Sequence, residues 1–323
     1  MVPTGGRRAP PACQGDNGAM PVPQLTFGVL PGHDQSGDLL GTVELAEALG
    51  FHSVWVGDHV LWHVPSPDPV AVLGAIAART NRVRLGTAVM LAALRPAVVV
   101  AKQAATLDHL AEGRFILGVG VGGENPSEFA AVGVPLHERG PRLDETIRIC
   151  RALWSAQGPV TFTGRYHTLQ DVRFDLPPRT PGGPPIWVGG RAPAALRRAG
   201  TLGDGWLAFV VTPERFADGW AAVRAHAAAA GRDPDALTPA LQVWCALADD
   251  EAEARAIIAP AIERMYRLPF ARFERYTIYG TPAQWRARLA AFAAAGVRHF
   301  NLVFAGGDVR GQMLRFMETV AGG

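Results

Sequence analysis

Four short segments hold the residue types that can do chemistry. Gly57-Asp58-His59, followed by Trp62 and His63, sets a carboxylate and two imidazoles beside an aromatic surface. Histidine exchanges a proton near neutral pH, so His59 is a candidate general acid or base, with Asp58 as its neighbour. Taken alone, such a pair more often only hydrogen-bonds loop backbone. Gly86-Thr87-Ala88-Val89 is a run of small residues that lets a flat ring approach the main chain, or else a closely packed strand. Gly118-Val119-Gly120-Val121-Gly122-Gly123-Glu124-Asn125-Pro126-Ser127-Glu128 offers tight turns and bare backbone amides. Its spacing fits neither a dinucleotide fingerprint nor a P-loop, which needs Gly-Lys-Ser/Thr. Val188-Gly189-Gly190-Arg191 precedes a helix, so amides at a helix N-terminus stand beside a guanidinium, an arrangement suited to phosphate or to a plain turn. Gly203-Asp204-Gly205-Trp206 enters a strand from the opposite side and reads as structural.

These segments are useful only if the chain brings them together. From Leu25 onward, short apolar runs alternate with amphipathic stretches, the pattern of strand-helix units around a parallel sheet. Strands are expected at 25–30, 53–57, 83–91, 114–120, 185–188, 206–210, 240–247 and 299–304. Helices are expected at 38–49, 68–79, 96–110, 139–155, 192–200, 213–230, 250–266, 282–295 and 309–320. The first of these puts Leu39, Val43, Ala46 and Leu49 on one face and stops at Gly50. Eight such units predict an α/β fold, a (β/α)₈ TIM barrel, and every segment above except the last then falls at the C-terminal strand ends, where barrel enzymes build their sites. Residues 158–183 form an insertion after the fourth strand that alternates like a hairpin before the Pro/Gly-rich PPRTPGGPP. It is expected over the barrel mouth, as is segment 266–280. Residues 1–23, rich in Pro, Gly and polar types, read as a disordered tail ahead of one domain at 24–323, with Met20 a possible natural start.

Composition removes several classes of function. A formal net charge of +2 without basic clusters argues against nucleic acid. Cys13, Cys150 and Cys245 are too few and too far apart for a disulfide framework or a zinc site, which points to a reducing cytoplasm. No apolar run is long enough for a membrane span or an export signal. A metal-dependent barrel hydrolase would need His-x-His in the first strand. Only His33 follows it, so no metal is expected.

The series GFHSVWVGDHV, RVRLGTAVM, QAATLDHLAEGRFILGVGVGGENPSEFAAVGVPLHERGPRLDE, PPIWVGG and GDGW resembles the luciferase-like superfamily, and in particular its branch of oxidoreductases that use the deazaflavin coenzyme F420. The resemblance runs from Leu25 to the C-terminus. It implies that His59 sits by the redox-active carbon as acid or base, oriented by Asp58, with Trp62 or His63 as the active-site aromatic. It implies a cis non-proline peptide at Ala88-Val89, next to Thr87, facing the ring. Gly122, Gly123 and Ser127 would line the cofactor, Glu124 would approach the ring nitrogen, and Val188, Gly189 and Gly190, with Arg191, would hold the ribityl-phosphate end. The implied reaction passes a hydride between the deazaflavin and a small alcohol, carbonyl or activated alkene. One alternative is an FMN-dependent monooxygenase served by a partner reductase, and another is a non-catalytic flavin-binding barrel. Relatives are often homodimers. Phe209, Val211, Trp244, Met265 and Tyr266 suggest a partly apolar substrate chamber, or else core packing, and a sugar phosphate would need Arg191, Arg165, Arg264 and Arg267 to converge.

Overall fold

The computed structural model describes residues 25–31 and 38–322. The tail at 1–23, Cys13 and His33 lie outside them. Strands β1 (Thr26–Val29), β2 (Ser53–Val56), β3 (Arg84–Thr87) and β4 (Phe115–Val119) are followed by β5 (Val160–Thr163) and β6 (Thr168–Val172). Then come β7 (Ile186–Gly189), β8 (Gly205–Phe209), β9 (Thr238–Leu247), β10 (Ile278–Gly280) and β11 (His299–Phe304). The order β11-β1-β2-β3-β4-β7-β8-β9 is parallel throughout, and β9 pairs back onto β11, which closes an eight-stranded barrel. The fold is therefore the (β/α)₈ TIM barrel expected from the alternation.

The eight barrel strands are largely buried on both faces, which is why the sequence shows unbroken apolar runs there. Trp55, Ile116, Trp187, Leu207, Ala240 and Val303 pack inside the barrel. Val54, Leu85, Leu117, Val188 and Leu302 alternate with them and pack outward under the helices. The interior is filled because glycines leave room for large rings: a Cβ on Gly86 would stand 2.3 Å from the Trp55 indole. Helix starts follow their caps. Asp68 accepts from Val70 and Ala71 N–H ahead of Pro69, and Thr281 with Gln284 forms a capping box.

Several elements depart from the sequence reading, beginning with the third strand, which was expected at 83–91 and ends at Thr87. β10 was not foreseen: β9 outruns β11 by two residues, and Ile278–Gly280 pairs with Cys245–Leu247 at that end. The insertion contains the expected antiparallel hairpin β5–β6, but it does not cover the mouth. Glu145 accepts from the N–H groups of Arg165, Tyr166 and His167, and Asp108 from Thr180 N and Oγ1, which ties the insertion along the helices Arg139–Ser155 and Ala97–Leu110. Of segment 266–280, only Tyr266 reaches the mouth; Phe270 and Phe273 pack back on the helix Glu251–Tyr266.

At the N-terminal end of the barrel, β1, β2 and β11 each contribute their first residue to one buried network. The Trp55 indole N–H donates to Ser53 Oγ at 2.7 Å, Ser53 Oγ lies 3.1 Å from His299 Nε2, and His299 Nδ1 lies 2.8 Å from Thr26 Oγ1. Thr26 Oγ1 gives its own proton to Arg298 O at 3.3 Å, so Nδ1–H of a neutral imidazole donates to Thr26 and Nε2 accepts from the Ser53 hydroxyl. Burial, aided by His52 and Arg84, pushes His299 down to about 3.

Candidate functional site

The loops after β2, β3, β4, β7, β9 and β11 surround a cavity of about 260 Å³ at the C-terminal end of the barrel. His59 lines it from the β2 loop and is held on two sides. Its Nδ1 stands 3.3 Å from Glu128 Oε1, and its ring face stacks on Trp62 with centroids 4.0 Å apart and planes 16° apart. Among the described residues Nε2 has no partner, so the imidazole presents one fixed nitrogen to the protein and the other to the cavity.

The carboxylate that orients His59 is Glu128, not Asp58, which corrects the sequence expectation. Asp58 is buried and fully engaged elsewhere. Its two oxygens accept from Arg95 at 2.6 and 3.0 Å, and Oδ2 also accepts from Leu91 N–H at 2.8 Å. It buttresses the turn that follows β3. Glu128 is completely buried in the first turn of the short helix Pro126–Ala131, and its Oε1 also accepts from Val60 and Leu61 N–H at 2.7 and 3.2 Å. Asn125 Nδ2 donates to Leu61 O at 2.8 Å and closes the strap. The other side of the loop is tied to the end of the helix Glu251–Tyr266: Trp62 Nε1 donates to Met265 Sδ at 3.3 Å, and His63 Nε2 to Arg264 O at 3.0 Å. Of the two, Trp62 lines the cavity and His63 is an exposed tether.

The turn that Asp58 supports carries the cis peptide Ala88–Val89, and both residues line the cavity. The glycine run is shaped to receive it. A Cβ on Gly120 would lie 2.3 Å from Val89 Cγ2, and one on Gly118 1.9 Å from Thr87 O. Gly122, at φ +56°, packs its backbone against Leu91. Gly122, Glu124, Gly189, Gly190 and Arg191 all reach the cavity.

Four expected cofactor contacts lie outside that lining. Thr87 is wholly buried and donates to Gly118 O at 2.6 Å. Val188 points outward into the core, as strand alternation requires. Gly123 abuts the Arg139 guanidinium, and Ser127 is exposed with its hydroxyl on Asn125 Oδ1 at 2.6 Å, at the start of the helix. Phe209, Trp244, Met265 and Tyr266 line the cavity, whereas Val211 is core. The four arginines do not converge: Arg191 and Arg264 reach the lining, Arg165 lies over Tyr166 on the insertion, and Arg267 ends a helix in the left-handed conformation. Sequence reasoning missed Glu128 as the partner of His59 and Arg95 as the partner of Asp58. Among the described residues no cluster of three or more His, Cys, Asp or Glu could hold a metal, and no helix is long and apolar enough to cross a membrane.

Known proteins resemble the chain in sequence and fold. The chain is 36% identical over 219 residues to a phthiodiolone/phenolphthiodiolone dimycocerosates ketoreductase of Mycobacterium tuberculosis, covering 60% of this chain and 57% of that one. It is 43% identical over 179 residues to an F420-dependent glucose-6-phosphate dehydrogenase of Beutenbergia cavernae, covering 53% and 52%. The chain thus spans somewhat over half the length of these curated relatives. Among solved structures, an F420-dependent secondary alcohol dehydrogenase in complex with an F420-acetone adduct superposes with a TM-score of 0.83 at 24% identity, over 92% of this chain and 98% of that one. The monooxygenase RslO1 from Streptomyces bottropensis superposes with a TM-score of 0.80 at 28% identity, over the same 92% and 98%. The sequence profile of the luciferase-like monooxygenase family matches residues 13–272, and the chain belongs to that family.

Proposed function

We propose that the chain is a coenzyme F420-dependent oxidoreductase acting on a small organic substrate: an alcohol, a carbonyl or an activated alkene. The observation that carries this reading is His59, fixed through Nδ1 by a buried carboxylate and through its face by Trp62, with Nε2 left to the cavity. The residues present fit a deazaflavin. Ala88 and Val89 offer a narrow backbone shelf packed onto bare glycines, and Gly189, Gly190 and Arg191, just ahead of the helix Pro193–Leu202, suit a phosphate. When bound, the coenzyme supplies two-electron exchange of a hydride with a substrate carbon. The protein's part is the proton. Oxidation of an alcohol also removes the proton on oxygen, and His59 Nε2 is the group available to hold it; reduction of a carbonyl returns it. Glu128 keeps Nδ1 protonated, which fixes the tautomer whose Nε2 carries a lone pair.

A second reading, an FMN-dependent monooxygenase, draws on the likeness to RslO1. A fluorescence titration of the purified chain with oxidised F420 and with FMN in one buffer separates the two. Micromolar or tighter binding of the deazaflavin with much weaker FMN binding is expected. Preference for FMN would move the protein to the second reading, and binding of neither would leave a non-catalytic barrel.

A further inference from the structure

One side of the cavity is aromatic, and one polar hydrogen within it is unused. Trp244 and Tyr266 both line this side, and the Trp244 indole N–H donates to the Tyr266 hydroxyl oxygen at 3.0 Å. Because an indole nitrogen can only donate, the phenol must be the acceptor there, and its own hydrogen is left to donate elsewhere. No acceptor for it stands among the described residues. The ring is held in place: Phe273 stacks on it at 4.8 Å and 20°, Trp244 meets it edge-on at 6.3 Å, and Phe209 lies 6.5 Å away. Burial pushes the Tyr266 hydroxyl up, with Glu124 adding to the shift, so it remains a neutral donor throughout the working pH range. A buried hydroxyl beside a cavity, with its acceptor side filled and its donor side open, is what a site needs to recognise a neutral oxygen.

The charges point the same way. Arg191 and Arg264 are the lysine or arginine side chains of the lining; both are exposed, and Glu124 shares the same rim. Arg191 adjoins the Gly189-Gly190 turn assigned above to the coenzyme's phosphate. Around Tyr266 the walls are Phe209, Trp244 and Met265, which can cover an apolar body but not balance a phosphate dianion.

Resting on the oxidoreductase reading, we propose that the chamber takes an uncharged, largely apolar secondary alcohol or ketone, and that the Tyr266 hydroxyl donates to its oxygen and selects for it. Glucose 6-phosphate and similar sugar phosphates are excluded as substrates.

The test is isothermal titration of the full chain, with and without F420, using 4-phenyl-2-butanone and glucose 6-phosphate as probes. The ketone should bind at least about 10-fold tighter than the sugar phosphate. Tyr266→Phe should weaken ketone binding by about 10-fold, the share of one neutral hydrogen bond, with F420 affinity unchanged. Trp244→Phe, which leaves the tyrosine in place but removes the donor that orients it, should give a smaller loss in the same direction. No measurable ketone binding, glucose 6-phosphate binding as tightly as the ketone, or Tyr266→Phe leaving ketone affinity intact would each overturn the proposal. The titration also separates the two readings. Ketone binding with the Tyr266 dependence but without F420 binding sinks the coenzyme assignment alone. F420 binding with tight glucose 6-phosphate binding sinks the substrate assignment alone.

Discussion

His299 and His59 lie at opposite ends of one barrel, each joined to a polar network, and differ in what those networks leave over. At the N-terminal end both nitrogens of His299 are engaged, by Thr26 and Ser53, and the ring is 1% exposed among Trp55, Trp187 and the strand walls. At the C-terminal end only Nδ1 of His59 is engaged, by Glu128, and the ring keeps contact with the cavity. A histidine satisfied twice in a buried interior is a packing element held neutral; one satisfied once at a cavity wall can still exchange a proton. Barrels divide their duties in this way, stability below and chemistry above. The division can be broken by experiment.

The widest separation should come from replacing each histidine. His59→Gln should lower kcat by about 100- to 10,000-fold, the usual worth of a placed acid or base, while F420 binding changes little. Steady-state rates beside a fluorescence titration check this, and full activity in that variant would remove His59 from the mechanism. His299→Ala should do the reverse. It removes one partner each from Ser53 and Thr26 and opens a hole beneath Trp55, costing about 2–4 kcal/mol in a urea melt, with kcat near that of the wild type in whatever remains folded. Loss of turnover without loss of stability in this variant would contradict the division.

Glu128→Gln probes the upper network more finely. The amide is the same size, and its oxygen in the Oε1 position still accepts from Val60 and Leu61 N–H and still lies 3.3 Å from His59 Nδ1, but the carboxylate charge is gone and an NH₂ group stands in the Oε2 position, 3.4 Å from Nδ1. Nδ1–H then meets a neutral, weaker acceptor beside a competing donor, so the tautomer that leaves a lone pair on Nε2 is held less firmly. A fall in kcat of about 10- to 100-fold at unchanged melting temperature is expected, because the group positions the histidine without being the proton's destination. Asp58→Asn should differ in kind. It leaves the largely enclosed Arg95 with only the half-exposed Asp68, at 3.4 Å, as countercharge and should cost stability before rate.

How far the sequence foretells these roles depends on the range of the interaction. The eight strands were legible because a parallel sheet buried on both faces demands continuous apolar runs, and the helix starts because Asp68, Thr281 and similar caps act within a few residues. The partner of His59 was not. Asp58 is adjacent in sequence, yet its carboxylate turns to Arg95 and Leu91, while the carboxylate that reaches the imidazole comes from 69 residues further on. The hairpin at 158–183 was visible in its alternation. Its place along the helices depends on Glu145 and Asp108, which in a helix read as ordinary surface charges until the barrel buries them. β10 has three residues, too few for any period to show.

The smallest effect concerns protons at the lower end. His299 is neutral in the folded chain down to about 3, whereas an unfolded histidine takes a proton near 6.5. Between those values the unfolded state binds more protons than the folded one, so stability is complete above about 6.5 and declines as the pH falls. This group alone contributes a slope of about 1.4 kcal/mol per pH unit within that window. His52, its neighbour, is also pushed down by burial and by Arg84, and so adds a further decline of the same sign below the ordinary histidine range. Urea melts at pH 7, 6 and 5 are the measurement, because carboxylates contribute little until lower pH. In a His299→Asn variant that folds, the profile should flatten, leaving the weaker dependence due to His52 and other histidines. An unchanged slope would mean that His299 is reached by water or already charged, and the contrast with His59 would then rest on position alone.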